Sequence, residues 1–233
     1  HDVVGLDTFY YRGCDFGDGS ELEPSLRLDL RDGRPDDLKG FDAVVHLAAL
    51  SNDPLGDFNP SWTYSINRDA TIALARAAKE AGARRFVFAS SCSMYGAAEG
   101  DAALTETAPL RPLTPYAESK VDAEKALIEL AADDFVPVSM RNATVYGVSP
   151  RLRLDIVLNN LVAWAHTTGA IRLQSDGSSW RPMIHVRDVA RAALALLETP
   201  DEVVRGEAFN IGSDAQNYRI SELAEIVHER LPH

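Results

Sequence analysis

The run Phe41-Asp42-Ala43-Val44-Val45-His46-Leu47-Ala48-Ala49 limits the choice of folds more than any other stretch of this chain. Its apolar residues do not alternate with polar ones, as they would in a strand with one wet face. They follow one another almost without a break, the pattern of a strand covered on both faces in a parallel sheet. Phe86-Val87-Phe88-Ala89 has the same character and leads into the hydroxyl-rich turn Ser90-Ser91-Cys92-Ser93-Met94-Tyr95-Gly96. Between the two runs, Ser61 to Ala81 has helical periodicity and is closed by Gly82 as a C-terminal cap. Strands alternating with helices predict an α/β chain with a doubly wound parallel sheet, which takes its ligand at the C-terminal ends of the strands.

The remaining elements are read from the same signals. Residues 1–7 read as a strand ending in Asp7, and Ser25 to Leu30 as a strand ending near Asp29. Phe135 to Arg141 is a further strand, in which Pro137 favours an early or edge position. Ile171 to Gln174 is expected as a short strand, and Phe209 to Gly212 as another strand end. Helices are expected from Thr114 to about Ala132, from Leu158, from Asp188 to Glu198 and from Ser221 to Leu231. Residues 10–24, 51–60 and 97–113 carry turn formers and read as loops.

Composition narrows the function. A chain of 233 residues that is 45% hydrophobic can bury a substantial core as one large domain or a main domain with a small lobe. A net charge of −12 argues against a general nucleic-acid surface and against an anionic membrane. No apolar run reaches membrane-spanning length and no signal peptide opens the chain, so a cytoplasmic setting is expected. Cys14 and Cys92 lack metal-ligand spacing, which supports neither a disulfide framework nor a metal site.

The chemistry is concentrated in Thr114-Pro115-Tyr116-Ala117-Glu118-Ser119-Lys120. Thr114 and Pro115 suit the N-cap and first position of a helix. Tyr116 and Lys120 then stand one turn apart on a single face. A phenol titrates near ~10 and is a poor base at neutral pH. An adjacent ammonium stabilises the phenolate and lowers that value.

Together with the serine turn, these residues resemble the extended short-chain dehydrogenase/reductase family of NAD-dependent nucleotide-sugar epimerases and dehydratases, whose fold is Rossmann-like. The resemblance places the family's Ser–Tyr–Lys triad on Ser91, Tyr116 and Lys120. Ser91 is chosen over Ser90 and Ser93 because the family hydroxyl stands four positions before the Tyr-Gly pair, here Tyr95-Gly96. By the same resemblance Asp7 is a ribose acceptor favouring NAD over NADP, although a strand-end turn role is open to it. Asp29 and Leu30 would flank the adenine, with a turn role equally open to Asp29. Leu47, Ala48 and Ala49 would border the cofactor, and Asn67 would pin its helix to that strand end. The glycine-rich phosphate turn of such folds does not occur before Asp7, and Gly13, Gly17 and Gly19 follow it with the wrong spacing.

Further on, Arg141-Asn142-Ala143-Thr144-Val145-Tyr146-Gly147 resembles the family's Arg-x-x-Asn-Val-Tyr-Gly-Pro, with Thr144 in the Asn place and Val148 in the Pro place. Thr144 and Asn160 would meet the substrate, and Arg181 its diphosphate, since a guanidinium fork matches phosphate oxygens. A surface salt bridge is open to Arg181, and base stacking or core packing to Trp180. His46 reads as a packed core histidine, while His185 and Asp188 read as structural. Ser91, Cys92 and Ser93 would line the sugar. Residues 1–150 are expected to form an NAD-binding domain and 151–233 a substrate lobe with interleaved Rossmann elements, each incomplete at its outer end.

The resemblance implies a proton abstraction by Tyr116 with hydride passing to NAD, through a transient 4-keto-sugar. Family dehydratases place Asp-Glu directly after the triad hydroxyl, whereas Cys92 and Ser93 stand there in this chain. Simple epimerisation needs no such pair, so a nucleotide-sugar 4-epimerase is expected, with a keto-reductase or dehydratase as alternatives and a non-catalytic NAD-binding sensor or scaffold as another class. Dimerisation through the Tyr-bearing helix and its neighbour is also implied.

Overall fold

In a computed structural model the described residues are 1–14, 16, 25–51, 53–96 and 103–231. Much of the loop expected over 10–24, and residues 97–102 of that expected over 97–113, lie outside them. The chain divides into two units: residues 1–10, 21–142 and 190–210 form the first, and residues 11–20, 143–189 and 211–233 the second.

The first unit holds a four-stranded sheet in the order β3 (Ala43–His46), β4 (Arg85–Ser91), β5 (Val136–Asn142), β8 (Ala208–Ile211). The β3–β4 and β4–β5 pairs are parallel, with Val45 opposite Val87 and Ser91 opposite Asn142. A separate parallel pair joins β1 (Gly5–Asp7) to β2 (Ser25–Arg27). These are the parallel, helix-flanked sheets of an α/β Rossmann-like fold. Phe86 and Phe88 of β4 are fully buried, and they pack with Leu74, Ala75 and Ala78 of α3 (Ala70–Ala81) and Ala123 and Leu127 of α4 (Pro115–Leu130). Alanines on α3 let the helix approach the sheet closely, while each buried Phe contributes roughly 1.5–3 kcal/mol.

Several expected boundaries move for local reasons. The second strand stops at Arg27, because Asp29 turns the chain into a short 3-10 segment by accepting a hydrogen bond from the Arg31 amide. Residues 51–60, expected as a loop, hold a short helix, α1 (Asp53–Phe58). The single helix expected over 61–81 is interrupted: α2 (Pro60–Thr63) passes through a π-helical segment, Tyr64–Asp69, before α3. Gly82 closes α3 at φ +90°, a left-handed conformation that suits glycine. Pro137 is the second residue of an inner strand, early as its missing N–H requires but not at an edge.

In the second unit, β6 (Thr144–Tyr146) pairs parallel with β7 (Trp180–His185), and β9 (Asn217–Arg219) pairs antiparallel with β7. Its core joins Met183 to Leu161 and Ala165 of α5 (Val157–Thr168) and to Leu223 and Val227 of α7 (Ile220–Arg230). Residues 171–174 are irregular, so the strand expected there does not form; Ile171 instead packs against that core. Helix α6 (Val186–Glu198) follows β7 with Asp188 in its first turn, where a negative charge complements the dipole.

Candidate active site

Strand β4 delivers Ser91 at its C-terminal end. There the Ser91 side chain caps the 3-10 turn Cys92–Tyr95: its Oγ accepts from the Ser93 amide at 3.2 Å and from the Ser93 hydroxyl at 2.9 Å. With two donors directed at the oxygen, the hydroxyl hydrogen of Ser91 is free to be donated elsewhere. Helix α4 begins as the sequence suggests. Thr114 Oγ1 accepts from the Ala117 amide at 3.2 Å, and Pro115 takes the first position, placing Tyr116 and Lys120 one turn apart.

Lys120 is buried, and its Nζ donates to the Ala89 carbonyl at 2.7 Å. The ammonium lies 4.6 Å from the Phe88 ring centroid and 5.6 Å from that of Tyr116. Burial pushes its pKa down to about 7, against the opposing attraction of Glu124. Lys120 sits where a phenolate of Tyr116 would feel its charge. On β3, His46 is equally buried and exchanges a 2.8 Å hydrogen bond with Thr71 Oγ1. Burial, and then the charge of Lys120, lower its pKa to about 3, so it stays neutral.

The π-helical segment brings Asn67 back against the end of β3. Its carboxamide accepts from the Leu50 amide and donates to the Leu50 carbonyl, both at 2.8 Å. That clamp holds the segment after Leu47 and Ala48, whose side chains are exposed, and Ala49, which is half-buried. Asp7 ends β1 and is exposed; its Oδ1 accepts from the Phe9 amide at 2.7 Å, with Phe9 in the left-handed region at φ 54°. Asp29 is committed to Arg31, receiving hydrogen bonds from the Arg31 amide, Nε and guanidinium. The hydrogen bonds with Arg31 hold the Asp29 carboxyl below its ordinary range. Leu30 is buried.

The first unit thus brings together Ser91, Cys92, Ser93, Tyr116, Lys120, Asn67 and the end of β3. Thr144, Asn160 and Arg181 belong to the second unit. Thr144 opens β6 opposite Met183, Asn160 donates from its side-chain Nδ2 to the Leu154 carbonyl at 3.0 Å, and Arg181 is exposed on β7. Next to it the Arg219 guanidinium lies 4.9 Å from the Trp180 ring. Within this unit His185 Nδ1 accepts from the Arg187 amide, and its ring meets Tyr146 edge-on.

Two buried residues escaped the sequence reading, Glu124 and Arg141. Arg141 stands in the sequence only as part of a motif, and Glu124 continues the Tyr116–Lys120 face by one more turn, which is the signal that marks it. They form a buried ion pair at 2.8 Å between Arg141 Nη2 and Glu124 Oε2. Burial works against the guanidinium charge, yet the hydrogen bonds to Glu124 and Tyr95 outweigh it and raise the Arg141 pKa.

Parallel strands that end in a serine turn, beside a helix presenting a tyrosine and a buried lysine, define a dinucleotide-type α/β protein with hydroxyl and amine groups gathered at the strand ends. The chain belongs to the NAD dependent epimerase/dehydratase family, whose model matches residues 1–212. It is 32% identical over 177 residues to an uncharacterized UDP-glucose epimerase, YtcB, of Bacillus subtilis, covering 75% of this chain and 54% of that protein. It is 30% identical over 234 residues to UDP-glucose 4-epimerase of Lacticaseibacillus casei, covering 91% of this chain and 69% of the relative. Among solved structures, MoeE5 in complex with UDP-glucuronic acid and NAD superposes with a TM-score of 0.83 at 31% identity, over 99% of this chain and 74% of that one. The chain spans a little over half the length of the first relative.

Proposed function

We propose that this protein is an NAD-dependent nucleotide-sugar 4-epimerase. The observation that carries the reading is the arrangement of Lys120: buried, bonded to the strand that ends in Ser91, and 5.6 Å from the ring of Tyr116. A charge held there serves no purpose in core packing, where burial disfavours it, but it supports a phenolate.

The residues present fit the two ends of a dinucleotide. Asp7 offers a carboxylate at an exposed strand end, the exposed Leu47 and Ala48 leave the end of β3 open, and Lys120 lies beside Tyr116 for the nicotinamide ribose. The commitment of Asp29 to Arg31 and the burial of Leu30 favour a structural role for both over direct adenine contact. NAD, when bound, supplies the hydride acceptor that turns a sugar carbinol into a ketone and back. Tyr116 takes the proton from the sugar hydroxyl. Ser91 donates its free hydrogen to the same oxygen and holds it in line. Cys92 and Ser93 offer no carboxylate pair for elimination, which favours epimerisation over dehydration. Thr144, Asn160 and Arg181 are proposed to hold the nucleotide sugar, with Arg181 at its diphosphate. A homodimer joined through α4 and a cytoplasmic location belong to the same proposal.

The test is incubation of the full-length protein and NAD with a panel of nucleotide sugars, followed by NMR. The expected outcome is interconversion of one sugar with its 4-epimer and no net accumulation of NADH. A deoxy-keto product would replace the epimerase reading with dehydration. No conversion of any sugar, with NAD still bound, would replace it with a non-catalytic role.

A further inference from the structure

Resting on that reading of the site, we infer that Arg141 is a positioning residue: braced by Glu124 and Tyr95, it fixes the helix that carries Tyr116 and Lys120 against the turn that carries Ser91. Its place in the fold makes this geometry direct. Tyr116, Lys120 and Glu124 follow one another at four-residue steps on α4, so one face of one helix presents all three. Tyr95 ends the 3-10 turn that Ser91 caps. Arg141, near the end of β5, touches both elements.

Every nitrogen of its guanidinium is engaged. Nε donates to both carboxylate oxygens of Glu124 at 3.2 Å, and Nη2 to Oε2 at 2.8 Å. Nη1 donates to Tyr95 Oη at 3.0 Å and to the Glu106 carbonyl at 2.9 Å. The bracket continues outward: Tyr95 Oη donates to Asn210 Oδ1 at 2.6 Å, and the Asn210 amide donates to Glu106 Oε1 at 2.8 Å. A planar fork with fixed donor directions sets distances that a flexible ammonium would leave loose.

Stability alone does not account for such a group. Burying an ion pair costs several kcal/mol per ion, and an apolar replacement of similar volume is often neutral or stabilising. The donor directions of one planar group, divided between Glu124 on the helix and Tyr95 on the turn, set the separation of those two elements. Proton transfer depends on that separation, since a misplacement of ~1 Å can cost ~100-fold in rate.

The experiment uses the full-length protein carrying Tyr95→Phe, which keeps the ring and removes only the hydroxyl, and Arg141→Lys, which keeps the charge. For each variant, kcat, KM, NAD affinity and amide exchange of residues 91–95 and 115–120 are measured. Tyr95→Phe is repeated in a Ser91→Ala background. The expected result is a roughly 10- to 100-fold loss of kcat in Arg141→Lys, with KM and NAD affinity within about twofold. Tyr95→Phe loses less, and its loss largely disappears once Ser91 is Ala. Exchange quickens in both segments. Full kcat in Arg141→Lys, or an equal loss from Tyr95→Phe in both backgrounds, would overturn the inference. If the parent protein converts no sugar, the reading of function fails separately. Amide exchange then decides, and unchanged protection of both segments in Arg141→Lys overturns the bracket.

Discussion

The ammonium of Lys120 donates to the backbone carbonyl of Ala89 at 2.7 Å, two residues before Ser91 on β4. One buried hydrogen bond therefore fastens the helix bearing Tyr116 to the strand bearing Ser91. The same burial that makes the contact firm makes the charge costly.

That cost has a pH signature. Lys120 titrates near 10.5 when exposed and is pushed down to about 7 in the fold. Between those values the unfolded chain binds more protons, so stability rises with pH across that window, and the penalty is complete below about 7. Replacing Lys120 by Met removes the dependence. Urea unfolding is expected to favour the Lys120→Met variant most at pH 6 and least at pH 10, relative to the parent, while turnover is lost. A difference in midpoint that does not change with pH would contradict the assignment.

Ser93 is expected to act through Ser91. Its hydroxyl donates to Ser91 Oγ at 2.9 Å and so turns the Ser91 hydrogen outward. Ser93→Ala leaves only the amide donor and should lower kcat by about tenfold with little change in KM, the scale of one neutral hydrogen bond. Ser93→Thr should restore most of it. Steady-state kinetics of the pair checks this.

Asn67 is fully buried and satisfies both polar groups of Leu50. Asn67→Ala leaves two backbone groups without these partners and is expected to cost about 2–3 kcal/mol in chemical unfolding. It should also weaken NAD binding, because the segment after β3 loses its anchor. Isothermal titration separates the two effects.

Gly96 has φ +74°, and a Cβ placed on it would collide with the Arg111 carbonyl oxygen. Backbone cannot yield as a side-chain tip does. Gly96→Ala is expected to lose more than about 2 kcal/mol of stability and to displace the turn after Ser91. Thermal unfolding and kcat together check the expectation.

Features set by neighbours in sequence were the legible ones. Thr114-Pro115 marks the start of α4, Gly82 the end of α3, and the apolar runs mark β3 and β4, because capping and burial leave local patterns. Features set across the fold were not. The π-helical turn at Asn67 is held by Leu50, 17 residues away, and nothing near Asn67 signals it. The strand expected at 171–174 had a suitable pattern but gained no partner, and Ile171 went to the core instead. The Glu124–Arg141 pair joins a helix to a strand and becomes meaningful only once both faces are known.

The central claim is that Tyr116 is the base. It is tested most directly by the rate at which the Tyr116→Phe protein interconverts its nucleotide sugar, followed by NMR beside a measurement of NAD affinity. The expected result is loss of turnover by at least about 100-fold, on the scale of general-base catalysis, with NAD affinity largely unchanged. Turnover equal to that of the parent protein would contradict the account.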